Sequence, residues 1–394
     1  MVTSSPNLQQ NNLKGYDLFF QFGGQGSSYL PEMTRLYQTY PQLREFFQFS
    51  QQTIEEGLDY LQMPQSLYQH GFDLLSWING QNIPPNSYLT TCSIALPCIH
   101  ICQTAYNFLT QIESQNNLSE LSVKGMTGHS MGFHSAILAA LDLKGDAYLA
   151  AYRKFLLFVL IGGARCQQNY SAPVLPQSIH DQAKELDGQA PSPMAAIVGL
   201  PVEDIQHDLA IFKSHHPGNS LMTLSLINRH DSLVISGYEE DLVNLRTEFY
   251  HQWDQKSIRW QFLEVSAPFH SPILTPAWRP FSMDNLYIKF HFKGEDLKVP
   301  VYSTKNGQPV NNEDDLYQCS FRLMTSEPLN WPLAIRSILS LPQPVVIDFG
   351  PGRSSASFTK HTVNHNSASI DLISVASPKA LKRIRRQFQN DQSI

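Results

Sequence analysis

Apolar residues in this chain come in short runs separated by longer stretches of mixed, helix-like texture, the pattern of strands alternating with helices. The first run, Leu18 to Phe22, ends in Gly23-Gly24-Gln25-Gly26. One helical region is expected at 29–47, and another at 86–112, kinked at Pro97. A strand at 123–127 leads into Gly128-His129-Ser130-Met131-Gly132 and an apolar helix through Ala140, and a further helix is expected from Gly145 to about Gly162. Residues 168–192, rich in Pro, Ser and Gln, read as a surface excursion. From Met194 the texture changes to strand (195–198), helix (202–212), strand (221–227), strand (233–237), helix (239–251) and strand (260–265). Beyond it lie a strand near 299–303, helices around 316–324 and 332–341, strands at 345–349 and 372–375, and a basic last helix.

These elements predict an α/β protein. A large α/β-hydrolase-like subdomain, with a mostly parallel sheet covered by helices on both faces, is expected at 16–192 and 266–394. The β-α-β-β-α-β series at 193–265 predicts a small inserted ferredoxin-like α+β subdomain. Residues 1–15, polar and rich in Asn and Gln, read as a disordered lead-in.

The 394 residues, 42% hydrophobic and 16% charged, suit a globular chain with two or three domains' worth of core. A net charge of −6 argues against general nucleic-acid binding. No run of 18 apolar residues appears, so no membrane span is expected. The polar N-terminus and five scattered cysteines (Cys92, Cys98, Cys102, Cys166, Cys319) suit a cytoplasmic protein without a disulfide framework. Of fourteen histidines, His361 and His365 could share a helix face, but no acidic or Cys partners cluster nearby, so no metal is expected.

The chemistry centres on Ser130. G-x-S-x-G between a strand and a helix is the pattern of a nucleophile elbow, which lifts the serine hydroxyl out of the fold. The helix N-terminus behind it offers free N–H groups to a developing oxyanion. His270, in Ser266-Ala267-Pro268-Phe269-His270-Ser271, follows a strand end and is the favoured general base. A second arrangement is also open: the α/β-hydrolase order of Ser130, Asp348 and then His361 or His365 would make an esterase triad.

Gly24-Gln25-Gly26 after the first strand, Gly-His-Ser-x-Gly a hundred residues later, the ferredoxin-like insertion and Ala-Pro-Phe-His-Ser together resemble the acyl-CoA:acyl-carrier-protein transacylases. The likeness extends from about Asp17 to Ile384. Gly162-Gly163-Ala164-Arg165-Cys166, Ser225-Leu226-Ile227-Asn228 and Asp348-Phe349-Gly350-Pro351-Gly352 are most similar to starter-unit transacylase domains of fungal polyketide synthases and to the acetyltransferase domain of type I fatty acid synthases, here in freestanding form. The resemblance implies acyl transfer from coenzyme A to the phosphopantetheine thiol of an acyl carrier protein, in polyketide or fatty acid biosynthesis, through an acyl-Ser130 intermediate. It implies His270 as base, the backbone N–H groups of Gln25 and Met131 as oxyanion hole, and a backbone carbonyl near Met324 orienting the histidine. No cofactor is implied beyond acyl-CoA as substrate, and a monomer is expected.

Malonyl-type members of the family carry an arginine about 25 residues past the serine, which clamps the substrate carboxylate. Here the resemblance places Phe155 or Leu156 at that position, with Arg153 turned away. An unpaired carboxylate against apolar residues is costly, so an uncharged acyl group, acetyl or longer, is implied. Phe269 and Asn228 are further candidates for the acyl pocket and substrate contact, and the basic last helix for steering a carrier protein or coenzyme A. Two other activities stay open: a proofreading hydrolase that strips acyl groups from carrier proteins, and a malonyl-CoA:carrier-protein transacylase.

Overall fold

Nine strands organise the chain in a computed structural model, which describes all residues except 1–12, 14, 27, 63–66, 113–116, 219–220 and 390–394. They are β1 (Asp17–Phe22), β2 (Val123–Gly128), β3 (Met194–Val198), β4 (Thr223–Arg229), β5 (Ser232–Ser236), β6 (Arg259–Phe262), β7 (Leu329–Asn330), β8 (Pro344–Asp348) and β9 (Asp371–Ser374). One sheet, in the order β2-β1-β8-β9, is parallel throughout. Phe19, Phe20 and Phe22 on β1 are all buried although successive side chains point to opposite faces, as a parallel strand covered on both faces requires. The expected disordered lead-in falls almost wholly outside the described residues; Leu13, which is described, is buried in the core.

Several expected elements are adjusted by backbone chemistry. The helix expected at 29–47 is two helices, Leu30–Thr39 and Leu43–Leu61, separated at Pro41, which has no N–H to continue the ladder. The helix at 86–112 resolves into Asn86–Leu89, Cys92–Asn107 with Pro97 inside it, and a π-helical turn, Phe108–Ile112. The strand expected near 299–303 makes only isolated bridges, Met126 to Val301 and Tyr302 to Pro309, because Pro300 removes a ladder donor. The long helix Gly145–Asn169 is the centre of the large lobe. An 18-residue window of it is apolar enough to cross a membrane by length and composition, but 72% of that window is buried, which makes it a core helix.

In the inserted lobe, β6, β3, β5 and β4 lie side by side and antiparallel, with helices Val202–His215 and Glu239–Glu248 as connections. This lobe has its own core, including Ile197, Phe212, Leu242 and Trp253. Two features cross the expected boundaries at 193 and 265. The helix Gln177–Asp187 lies in the expected surface excursion but buries Ile179 and Ala183 in the small core. The two-residue β7, from the large part of the chain, adds to the small sheet parallel to β4.

Candidate active site

Ser130 stands between β2 and the helix Gly132–Ala140 with φ of +54°, a left-handed conformation that serine rarely adopts. Close packing of main chain forces that turn. A Cβ on Gly128 would lie 2.0–2.2 Å from backbone atoms of Gly132 and Phe133, and one on Gly132 would lie 2.3 Å from the Gly23 carbonyl oxygen. The turn is tied to the strand end by the His129 N–H, which donates to the Phe22 carbonyl at 2.8 Å.

His270 also has a left-handed backbone, with φ of +57°, and is 1% exposed. Its Nδ1 lies 2.9 Å from the carbonyl oxygen of Glu327, and its Nε2 lies 2.8 Å from Ser130 Oγ. A carbonyl can only accept, so Nδ1 carries the proton and Nε2 offers its lone pair to the serine hydroxyl. The orienting carbonyl is therefore that of Glu327, not Met324. Met324 lies inside the helix Leu316–Thr325, and its side chain is buried near Gly162. Glu327 lies two residues past the helix end and before Pro328, so its carbonyl is outside the helical ladder. Its carboxylate is held by Lys305 at 2.8 Å and by Arg322, which fixes the turn from outside.

Burial pushes the His270 imidazole down to about 4, against its ordinary 6.5. The imidazole thus stays neutral far into acid; if it serves Ser130 as base, kcat/KM is expected to lose its acid limb near pH 4 rather than near 6.5, as a pH–rate profile would show. Because the folded protein resists protonation and the unfolded chain does not, stability conferred by the neutral ring is lost as pH falls from about 6.5 towards 4. His134, pushed down to about 4 by burial, adds to the same acid sensitivity.

The Gln25 loop packs against the elbow: a Cβ on Gly24 would lie 2.6 Å from His129 Nδ1. The Gln25 side chain donates to the Thr90 carbonyl at 2.9 Å, which fixes the loop. Met131 caps the elbow helix, so its N–H belongs to the first turn that has no partner within the helix. Met131 directly follows Ser130, and the loop of Gln25 meets the elbow at His129 through Gly24. Sequence reasoning missed Gln103, whose amide donates to the carbonyls of Gly23 and Gly350 at 2.6 and 2.7 Å and so ties two loops at the sheet end together.

A cleft of about 570 Å³ runs beside the elbow between the lobes. His129, Gln25, Ala95 and Ile99 line one wall, and Ala196, Leu226, Asn228 and Val234 the other. Asn228 lines this cleft, with its Oδ1 2.7 Å from His129 Nε2. Phe155 and Leu156 do not line the cleft. Both are fully buried, and Phe155 packs on Phe290 and Phe292. The central helix is buried on nearly every side, so Phe155 and Leu156 are drawn into the core instead of the cleft. Phe269 likewise buries its ring and is absent from the cleft lining. The three cations of the central helix are engaged elsewhere. Arg153 pairs with Glu56, Arg165 grips Asp284 with two bonds of 2.8 Å, and Lys154 lies over Phe292. Glu264 is the one charged residue lining the cleft among the described residues.

The esterase triad does not assemble. Asp348 is fully buried and bonded to Gln21 and Ser355, His361 bonds the Ser357 carbonyl on its own helix, and His365 packs on His230.

This architecture is that of the carrier-protein transacylases. A malonyl-CoA:acyl carrier protein transacylase from Xanthomonas oryzae pv. oryzae superposes with a TM-score of 0.69 at 19% identity, covering 93% of this chain and 97% of that one. A malonyl-transacylase solved in complex with a type II polyketide synthase acyl-carrier protein superposes with a TM-score of 0.67 at 19% identity, covering 95% and 99%. The chain belongs to the starter unit:ACP transacylase family, described for aflatoxin biosynthesis, which matches residues 20–270. It is 29% identical over 359 residues to the fatty acid synthase beta subunit of Saccharomyces cerevisiae, covering 85% of this chain and 17% of the relative. The Schizosaccharomyces pombe beta subunit is 27% identical over 380 residues, covering 91% and 18%. The chain thus spans less than a fifth of the length of these relatives.

Proposed function

We propose that this protein moves an uncharged acyl group from coenzyme A to the pantetheine thiol of an acyl carrier protein, by way of an ester on Ser130. The observation that carries this reading is the Ser130–His270 pair, 2.8 Å apart with the imidazole tautomer fixed by the Glu327 carbonyl. Ser130 Oγ attacks the thioester carbonyl while its proton passes to His270 Nε2. The tetrahedral oxyanion develops against the N–H groups of Gln25 and Met131, each worth about 3 kcal/mol in such holes. Collapse expels the coenzyme A sulfur, which takes the proton from His270. The carrier thiol then repeats the sequence in reverse: it gives its proton to His270, attacks the ester carbonyl and releases Ser130. The reading needs no metal or organic cofactor, and it places the protein in cytoplasmic polyketide or fatty acid biosynthesis.

The acyl group is inferred from the cleft beside the elbow, whose lining includes His129 but neither Ser130 nor His270, and from the cations of the central helix. The cleft lining offers a carboxylate no cation among the described residues, and the cations of the central helix face Glu56, Asp284 and Phe292. A malonyl carboxylate on Ser130 would find these three cations already engaged. Intact-mass spectrometry after mixing with acetyl-, longer acyl- and malonyl-CoA, followed by a holo carrier protein, tests both parts. Acetyl or longer adducts on Ser130 that pass to the carrier are expected. Malonyl loading at the acetyl rate would refute the uncharged substrate, and loss of the adduct to water with no carrier acylation would identify a hydrolase.

A further inference from the structure

We propose that Ser236, on the inserted lobe, positions the base His270 and so couples a wall of the cleft to the acyl-transfer chemistry; the inference rests on the Ser130–His270 reading above. His270 holds a left-handed backbone, with φ of +57°, which a histidine keeps only when its surroundings impose it. Both flanking peptides are gripped. On one side, Ser236 Oγ donates to the Phe269 carbonyl at 2.7 Å. On the other, the Ser271 N–H donates to the Thr325 carbonyl at 3.0 Å. Ser236 is fully buried, so water cannot replace its hydroxyl without rearrangement. Without that hydroxyl the Phe269 peptide is free to rotate, and rotation there swings the imidazole off Ser130.

Ser236 ends β5, and the period-2 alternation of a strand puts Ser232, Val234 and Ser236 on one face. Ser232 and Val234 line the cleft. The face of β5 that lines the cleft therefore also grips the peptide next to His270. Phe269 matters for its main-chain carbonyl here, not for the ring that drew attention in the sequence.

The test is labelling by a fluorophosphonate, in which Ser130 Oγ forms the P–O bond, fluoride leaves and the hydroxyl proton passes to His270 Nε2. Ser236→Ala is expected to lower the labelling rate constant about tenfold, as small misplacements of a reacting group do, with KM for acyl-CoA unchanged. Ser236→Thr, which keeps the hydroxyl, is expected to label faster than Ser236→Ala. Ser225→Ala controls for sheet damage: Ser225 Oγ is buried in the same sheet and donates to the Val234 carbonyl at 3.0 Å. It is expected to label at the wild-type rate. Wild-type labelling of Ser236→Ala, equal slowing of Ser225→Ala, or no advantage of Thr over Ala would overturn the proposal. A wild-type protein that fails to label on Ser130 would instead overturn the nucleophile reading on which it rests.

Discussion

His270→Ala slows acylation of Ser130 by about 10²–10⁴-fold, the usual range for loss of a positioned general base. The argument is geometric. Nε2 lies 2.8 Å from Ser130 Oγ, and among the described residues no other imidazole is bonded to that hydroxyl. His129, next in sequence, points its Nε2 at Asn228. His361 and His365 lie on the helix Ser354–His365 with partners of their own, so replacing them leaves the rate unchanged. Ser130→Ala removes the acyl acceptor altogether and gives no adduct. The double variant is no slower than Ser130→Ala alone, because the two residues act as one unit. Single-turnover adduct formation followed by mass, with a thermal melt to check folding, decides the matter. A His270→Ala protein that keeps more than about a tenth of the rate would exclude it as the base.

The second large effect is structural. Gly128→Ala places a methyl group 2.0–2.2 Å from main-chain atoms of Gly132 and Phe133. Gly132→Ala places one 2.3 Å from the Gly23 carbonyl oxygen and 2.6 Å from that of Phe22. The neighbours are backbone, so no side chain can swing aside, and strand and helix must part. Overpacking of this kind costs about 3 kcal/mol or more, at the upper end of the usual range. Both variants are expected to melt well below the wild type and to lose Ser130 reactivity. Gly145→Ala is the contrast: its φ is +53°, but nothing lies within 4 Å of the new methyl. It pays only backbone strain, about 1 kcal/mol. Calorimetry of the three variants tests this, and a Gly128→Ala protein that melts with the wild type would contradict the packing at the elbow.

What could be read from the sequence was local. The elbow announces itself because strand, glycines, serine and helix are contiguous, and His270 lies in a short motif at a strand end. The resemblance points to a carbonyl near Met324, three residues before Glu327 and inside the helix Leu316–Thr325. A sharper signal was present, since Pro328 disfavours helical backbone at Glu327 and so marks the first carbonyls past the helix end. Phe155 and Leu156 lie in the core, away from the cleft, for a reason that the sequence pattern does not carry. An amphipathic helix reveals its buried face, but the central helix is apolar nearly all round and gives periodicity nothing to phase. The fate of Arg153 depends on Glu56, 97 positions away, and no short-range pattern carries that. The two-residue β7 is too short to be distinguished from a turn.

That short strand has a consequence for how the protein is put together. β7 pairs Leu329 and Asn330 with Leu226 and Ile227 of the inserted lobe, and Glu327, whose carbonyl holds His270, leads straight into it. The lobe is therefore tied to the frame at a third place besides its two chain connections, where a swinging hinge would need freedom. An insertion of this kind is not an accessory that can be deleted, exchanged or grafted as a unit. Its outer helices and loops are free to diverge, while the strands facing the frame are committed to holding His270 in place.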